Sequence, residues 1–200
     1  KEGDIYYMVM EFVEGETLTQ RIRRAGLIPP PKCIPLFSQM LEGLAYAHSK
    51  GIVHRDIKPS NIMIDSEDNI KIMDFGIAKI VGEKGLTKTG TKMGTIFYMS
   101  PEQVMGEKDI DLRSDIFSMG ITLFEMLTAQ LPYDSNTDSD FRIMQQIVEN
   151  NIPSVKQYYP FVPEKIEEAI AIATKKNRDE RFSSCTEFIA FMDGNGRIPK

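Results

Sequence analysis

The densest polar cluster of the chain is HRDIKPSN, His54 to Asn61, and Asp74-Phe75-Gly76 follows a short distance on. Asn61 and Asp74 supply oxygen acceptors beside the carboxylate of Asp56 and the ammonium of Lys58. Such donors suit Mg²⁺, which takes few protein ligands and fills its octahedron with waters and substrate phosphates. The set therefore points to a nucleotide. Asp56 is then left to orient an attacking hydroxyl and accept its proton. Lys58 can offset charge on a transferred phosphoryl group, in chemistry where positioning and electrostatics dominate the rate. Any one of these residues alone reads more simply as part of a polar turn with a structural ion pair; their combination carries the inference.

Elements of both periods surround this cluster. Asp4 to Met10 (DIYYMVM) reads as a strand, and the Gly- and Glu-containing stretch Glu11 to Glu16 as a connector that cannot continue it. Thr17 to Ala25 reads as a short helix ended by Gly26, and Pro29 to Pro31 as the start of a longer one. Ile34, Phe37, Leu41, Leu44 and His48 recur at alternating steps of three and four, one apolar stripe of that helix, which Gly51 can terminate. His48 reads there as a packed or half-exposed residue. Ile52 to Ile80 breaks into short β-branched pieces, IVH, NIMI and IKIM, the last two joined as a hairpin by the polar turn DSEDN. Ile77 to Gly106 has little periodicity and reads as a long irregular segment, a kind that is usually functional or disordered. Asp111 to Thr128 is apolar on nearly every face after its polar first turn, the pattern of a buried central helix. Phe141–Glu149, Pro163–Thr174 and Thr186–Met192 carry helical spacing. The expected fold class is α+β, mainly α.

Composition narrows the function classes. Hydrophobic residues make up 42% and charged residues 26%, the balance of a soluble globular chain. Twenty-four basic against 29 acidic residues give a formal charge of −5, which leaves no broad basic surface for nucleic acid. No apolar run reaches the ~18 residues of a membrane span, and KEGDIYY is not a secretory leader, so this segment is expected to make no membrane contact. Cys33 and Cys185 lie far apart without a CxxC pattern, which favours reduced thiols in a reducing compartment.

HRDxKxxN, DFG and the downstream Ser100-Pro101-Glu102 resemble the catalytic loop, metal loop and activation-segment end of eukaryotic-type protein kinases. Lys58, two residues after Asp56, has the serine/threonine form, and GTIFYMSPEQ with DLRSDIFSMGITLFEMLTAQLPY is similar to the bacterial members. The resemblance implies a kinase-like large (C-terminal) lobe over residues 17–200, with the last small-lobe strand and the adenine-binding hinge over residues 1–16. It implies ATP and Mg²⁺ as cofactors, with Mn²⁺ as an alternative metal, and Ser/Thr hydroxyls of protein substrates as acceptors. It also makes Asp56 the catalytic base, Lys58 the γ-phosphate contact, Asn61 and Asp74 the metal ligands, and Thr95 a bridge between Asp56 and Lys58. Met10 becomes the gatekeeper, the backbones of Glu11 and Val13 face the adenine edge, and Met63 and Met73 line the purine pocket. Glu102 pairs with Arg181, and Asp115 holds the backbone of the His54-Arg55 turn. Arg55 and Lys79 receive a phosphothreonine of the activation segment. Thr87, Thr89 and Thr91, which lie 8, 6 and 4 residues before Thr95, are the candidate autophosphorylation sites.

The family's Gly-rich loop, strand lysine and helix glutamate belong upstream of the hinge, and Lys1 to Met10 supply none of them. With Lys rather than Met first, the chain is expected to be cut from a longer cytoplasmic protein, any membrane anchor lying outside these 200 residues. Alone, it is expected to have no useful turnover. Thr17 stands where some relatives place an acidic ribose contact. A pseudokinase or docking module is the alternative, disfavoured by the intact Asp56, Asn61 and Asp74. A small-molecule phosphotransferase is disfavoured by Lys58, the DFG triplet and the Thr-rich segment that ends at Glu102.

Overall fold

The computed structural model describes residues 11–75, 96–134 and 139–196. The connector expected at Glu11 to Glu16 ends in strand β1 (Glu16–Thr17), so its last residue belongs to the sheet and β1 straddles the expected boundary at residue 16. Close approach explains Gly15, where a Cβ would lie 2.2 Å from the Ile64 carbonyl oxygen. Thr17 then caps helix α1 (Leu18–Ala25): its Oγ1 accepts the Gln20 N–H at 3.2 Å, and Gln20 Oε1 accepts the Thr17 N–H at 2.7 Å. Helix α2 (Pro30–Ser49) starts on prolines whose missing N–H costs nothing in a first turn. Its buried face is broader than the expected stripe, adding Cys33, Leu36, Met40 and Ala47 to Phe37, Leu41 and Leu44, with Ile34 only half-buried.

Strands β2 (Ile62–Ile64) and β3 (Ile70–Ile72) form the expected hairpin, with Ile62 opposite Ile72 and Ile64 opposite Ile70. Asp65 closes its turn by accepting the N–H groups of Glu67 and Asn69 on one carboxylate oxygen, both at 2.8 Å. β1 adds antiparallel to β2, giving the order β1-β2-β3. The expected IVH strand is corrected. Residues 52–54 pair with no strand; the Ile52 N–H is donated to the Ala47 carbonyl and the His54 N–H to a carboxylate of Asp115. β-Branched composition marks a segment that can be extended, and a strand also needs a neighbour to accept its ladder.

The segment read as irregular as far as Gly106 is corrected at its end, where residues 96–98 form a 3₁₀ turn and Pro101–Val104 form helix α3. Ser100 caps α3 reciprocally with Gln103, and Pro101 occupies its first position, a start signal plainly written in Ser-Pro-Glu-Gln. Helix α4 (Leu112–Thr128) begins at the Asp111 cap and is buried along almost its whole length. It packs against α2 and against α6 (Glu164–Ala173), and α5 (Asp140–Glu149) and α7 (Cys185–Met192) complete the helical set. The polar residues within α4 are satisfied locally: Thr122 and Thr128 Oγ1 donate to the carbonyls of Ser118 and Phe124, both at 2.8 Å.

The α4–α6 crossing depends on Gly120. A Cβ there would lie 2.7 Å from Thr174 Cγ2 and 3.0 Å from Ala173 Cβ. Gly120→Ala is therefore expected to cost about 1–3 kcal/mol through overpacking, despite the better helix propensity of alanine. Urea denaturation reads this as a lower midpoint at unchanged slope, and an unchanged or higher midpoint would show that the helices move apart freely.

Candidate active site

The loop from His54 to Asn61 is held from below. Asp115, in the first turn of α4 and without exposed side-chain surface, accepts the N–H of His54 at 2.8 Å and that of Arg55 at 2.7 Å. Gln103 Nε2 of α3 donates to the Arg55 carbonyl at 2.8 Å. Arg55 itself has φ 67°, a left-handed conformation that disfavours a side chain with a Cβ and survives only where its surroundings over-determine it. The bonds from α3 and α4 do that. The turn delivers Asp56 half-exposed at the surface, with the apolar Ile57 buried beneath it.

His54 is fully buried and joins this loop to the hairpin. Its Nδ1 accepts the Asp56 N–H at 3.2 Å, so Nε2 carries the proton that it donates to the Met73 carbonyl at 2.8 Å. Its ring also packs on Phe75, centroids 4.8 Å apart. The Met73 N–H in turn donates to the Asn61 carbonyl at 2.8 Å. These bonds tie both ends of the polar cluster to the residue that precedes Asp74. Asp74 is exposed and has φ 55°, the second left-handed non-glycine residue of the site.

Within the cluster, Lys58 Nζ lies 2.8 Å from Asp56 Oδ2 and 3.1 Å from Oδ1. Asn61 Nδ2 donates to the Asp56 carbonyl at 2.8 Å and to Oδ2 at 3.1 Å. The Asn61 amide nitrogen is thus committed to Asp56, which turns its Oδ1 away as the oxygen available to a cation, with Ser60 Oγ 3.4 Å from it. Among the described residues no three His, Cys, Asp or Glu side chains cluster closely enough to hold a metal by themselves. An amide oxygen and one carboxylate are the sparse, hard donor set that Mg²⁺ accepts when phosphates complete its shell. The residues present fit that ion.

Met63 lies opposite Thr17 and Lys71 in the sheet, on the face away from the buried Ile62 and Ile64. Lys71 forms an ion pair with Glu11, so the connector lies over this same face. Met73 follows β3 and is half-buried, as is Val13, while Glu11 is exposed. Met10, Lys79, Thr87, Thr89, Thr91 and Thr95 lie outside the described residues, as does the strand expected over Asp4 to Met10.

Two expected structural pairings are present in the fold. Arg181 and Glu102 form a buried bidentate pair, Nη1 to Oε1 at 2.7 Å and Nη2 to Oε2 at 2.8 Å, and Asp115 receives the His54-Arg55 backbone. Sequence reasoning assigned no part to Gln103, Ser114 or Cys185, and read His48 as a packed or half-exposed residue. Ser114 Oγ donates to Glu102 Oε1 at 2.6 Å, and His48 Nε2 lies 2.8 Å from Asp115 Oδ2. The available signal for His48 was a polar side chain at the end of an otherwise apolar stripe.

The polar loop anchored on the buried helix α4 and the hairpin that leads to Asp74 are thus brought together at one site. A family model described as the protein kinase domain matches residues 1–191, and the chain belongs to that family. Its relatives include bacterial serine/threonine kinases. It is 40% identical over 190 residues to the serine/threonine-protein kinase PrkC of Bacillus subtilis, covering 95% of this chain and 29% of that protein. It is 39% identical over 183 residues to the probable serine/threonine-protein kinase PknB of Lactococcus lactis, covering 92% and 29%. With PknL of Mycobacterium tuberculosis the identity is 37% over 183 residues, covering 92% and 45%. The chain thus spans less than half the length of these relatives. No described helix is long and apolar enough to cross a membrane.

Proposed function

We propose that this chain provides the phosphoryl-transfer loops of a serine/threonine protein kinase that moves the γ-phosphate of ATP to hydroxyls of protein substrates. One observation carries this reading: Asp56, Lys58 and Asn61 are bonded to one another, and the Asn61 backbone is bonded to the residue before Asp74. In this reading Asp56 orients the substrate hydroxyl and accepts its proton. Lys58, now paired with Asp56, contacts the γ-phosphate once substrates are bound. Asn61 Oδ1 and the Asp74 carboxylate would hold Mg²⁺, which would supply positive charge to offset that of the nucleotide phosphates. Residues 17–200 form the large lobe, and residues 1–16 the hinge with the last strand of the small lobe. Met63, Met73 and the backbones of Glu11 and Val13 form the adenine side. The 200 residues alone contain no Gly-rich phosphate loop or strand lysine, and by themselves are inactive.

The test uses the full-length protein with ATP, MgCl₂ and casein, read as phosphoserine and phosphothreonine by mass spectrometry. Transfer that EDTA abolishes is expected; its absence under all divalent ions tried, Mn²⁺ included, would overturn the reading. Asp74→Asn is expected to raise the Mg²⁺ concentration needed for half-maximal rate at least about tenfold, since even residues that only support a metal ligand cost 10–100-fold. An unchanged Mg²⁺ requirement would remove Asp74 from the metal site. We further propose autophosphorylation at Thr87, Thr89 or Thr91, with Arg55 and Lys79 receiving the phosphate. Active protein with all three threonines unmodified would exclude it.

A further inference from the structure

Lys176, in the loop between α6 and α7, takes no part in the proposed reaction, yet its side chain is half-buried rather than extended into water. Its Nζ donates to the Ile147 carbonyl in the last turn of α5 at 2.7 Å and lies 5.7 Å from the centre of the Phe117 ring of α4. The same ring carries the Arg181 guanidinium at 5.0 Å. Two cations thus share one aromatic side chain, and the attraction of the ring offsets their mutual repulsion only in part. Arg181 cannot shed its charge, and Glu102 with three backbone carbonyls takes up all five of its N–H donors. Lys176 is the member of the pair that can become neutral. The groups that face its amine are the Phe117 ring from α4, the Ile147 carbonyl from α5 and Arg181 from its own loop. Among the described residues Arg181 is the ionisable group that acts on it, and no carboxylate compensates. Burial first, and that guanidinium second, push the Lys176 ammonium down to about 8.

We propose that Lys176 is an acylation site, a half-buried amine that the fold keeps as a nucleophile for activated acyl groups of the acyl phosphate or acyl thioester class. The inference goes beyond the kinase reading and does not depend on it. The neutral amine donates one N–H to the Ile147 carbonyl, so its lone pair points away from that acceptor. In the step, this lone pair attacks the acyl carbon, a C–N bond forms, and the C–O bond to phosphate or the C–S bond to the thiol breaks. The proton shed by nitrogen leaves with the departing group, as hydrogen phosphate or as thiol. The product is a neutral amide, which leaves Arg181 as the one cation of the pair on Phe117 and relieves the repulsion between them. At pH 7.5 about a quarter of Lys176 is free amine, against about one in a thousand of a solvent-exposed lysine. Lower basicity takes back about a tenfold factor of that ~200-fold advantage, on the slope of about 0.4–0.5 that thiolates follow. A net preference of about tenfold remains.

The test treats the full-length protein at pH 7.5 with acetyl phosphate or with acetyl-CoA and follows acetylation at each lysine by mass spectrometry. Lys176 is expected to react about tenfold faster than the exposed Lys50 and Lys108. Reaction with one donor alone supports the proposal and names the source of the acyl group. No reaction at Lys176 with either donor would overturn it, as would a rate at or below that of the exposed lysines. A second measurement does not depend on how easily the amine is reached. With trace labelled acetic anhydride, the Lys176 rate is expected to level off above about pH 9, while the rates of Lys50 and Lys108 climb past about pH 10. Parallel profiles would overturn the proposal. In guanidinium chloride the unfolded chain is expected to lose both differences, and a preference that persisted there would belong to the local sequence and overturn the role assigned to the fold.

Discussion

Asp56→Asn in the full-length protein is expected to lower the rate of phosphoryl transfer by about 10²–10⁴-fold, the contribution of a positioned general base, with ATP affinity changed less than about threefold. The substitution removes little geometry. Asn has the shape of Asp, the backbone of residue 56 stays pinned by His54 Nδ1, and the Arg55 turn stays held by Asp115 and Gln103. What is lost is a carboxylate that can accept a hydroxyl proton and balance the Lys58 ammonium 2.8 Å away. Nucleotide affinity is spared because, in the proposed arrangement, Asn61 and Asp74 hold the metal and the sheet face near Met63 receives the base. Single-turnover rates with ATP, alongside calorimetric titration of the nucleotide, separate the two quantities. A variant that keeps more than a tenth of the rate would remove Asp56 from the role of base. A variant that loses nucleotide binding to the same degree as turnover would make Asp56 a structural or metal-holding residue.

The grouping of Asp56, Lys58 and Asn61 was legible because it is local. They sit within six residues on one loop, and Asp74 lies just past a hairpin whose turn is written in DSEDN. The buried helix α4 was legible for a different reason: a run that is apolar on every face has nowhere to go but the centre. His48, Gln103 and Cys185 were not legible, because their value depends on partners across the fold. His48 meets Asp115 67 residues away, Gln103 meets Arg55 48 residues away, and Cys185 meets His48 137 residues away. No period or spacing encodes such a meeting. The failed IVH strand shows the same limit from the other side. Local preference for extended backbone was present, and the tertiary fold offered a helix end and a carboxylate instead of a neighbouring strand.

Breaking the ion pair of Glu102 and Arg181 is expected to produce the largest stability change in the chain, about 3–5 kcal/mol for either Arg181→Met or Glu102→Gln. Both side chains are almost wholly buried. The guanidinium also donates to the carbonyls of Lys175, Arg113 and Lys176 at 2.7, 3.0 and 3.0 Å, and it lies 5.0 Å above the Phe117 ring. Removing one partner leaves the other charged and dry, whereas an apolar pair in both places is expected to cost far less than the two single losses added, which a double-mutant cycle measures. Hydrogen exchange of amides in residues 112–128 reports the opening free energy of α4 within a longer protein. The pH dependence gives an independent sign. Burial alone would raise the Glu102 carboxyl, but the bidentate Arg181 contact and the Ser114 hydroxyl outweigh it and hold the group below its ordinary value of 4.5. Its contribution is therefore complete above the unfolded value and is lost as pH falls through the lower folded one. In Arg181→Met the outweighing partner is gone and burial acts unopposed, so the folded value rises above the unfolded one. That variant should gain stability on acidification towards pH 4 where the unmodified protein holds or loses it. Parallel pH profiles in the two proteins would show that Glu102 is solvated when its partner is removed.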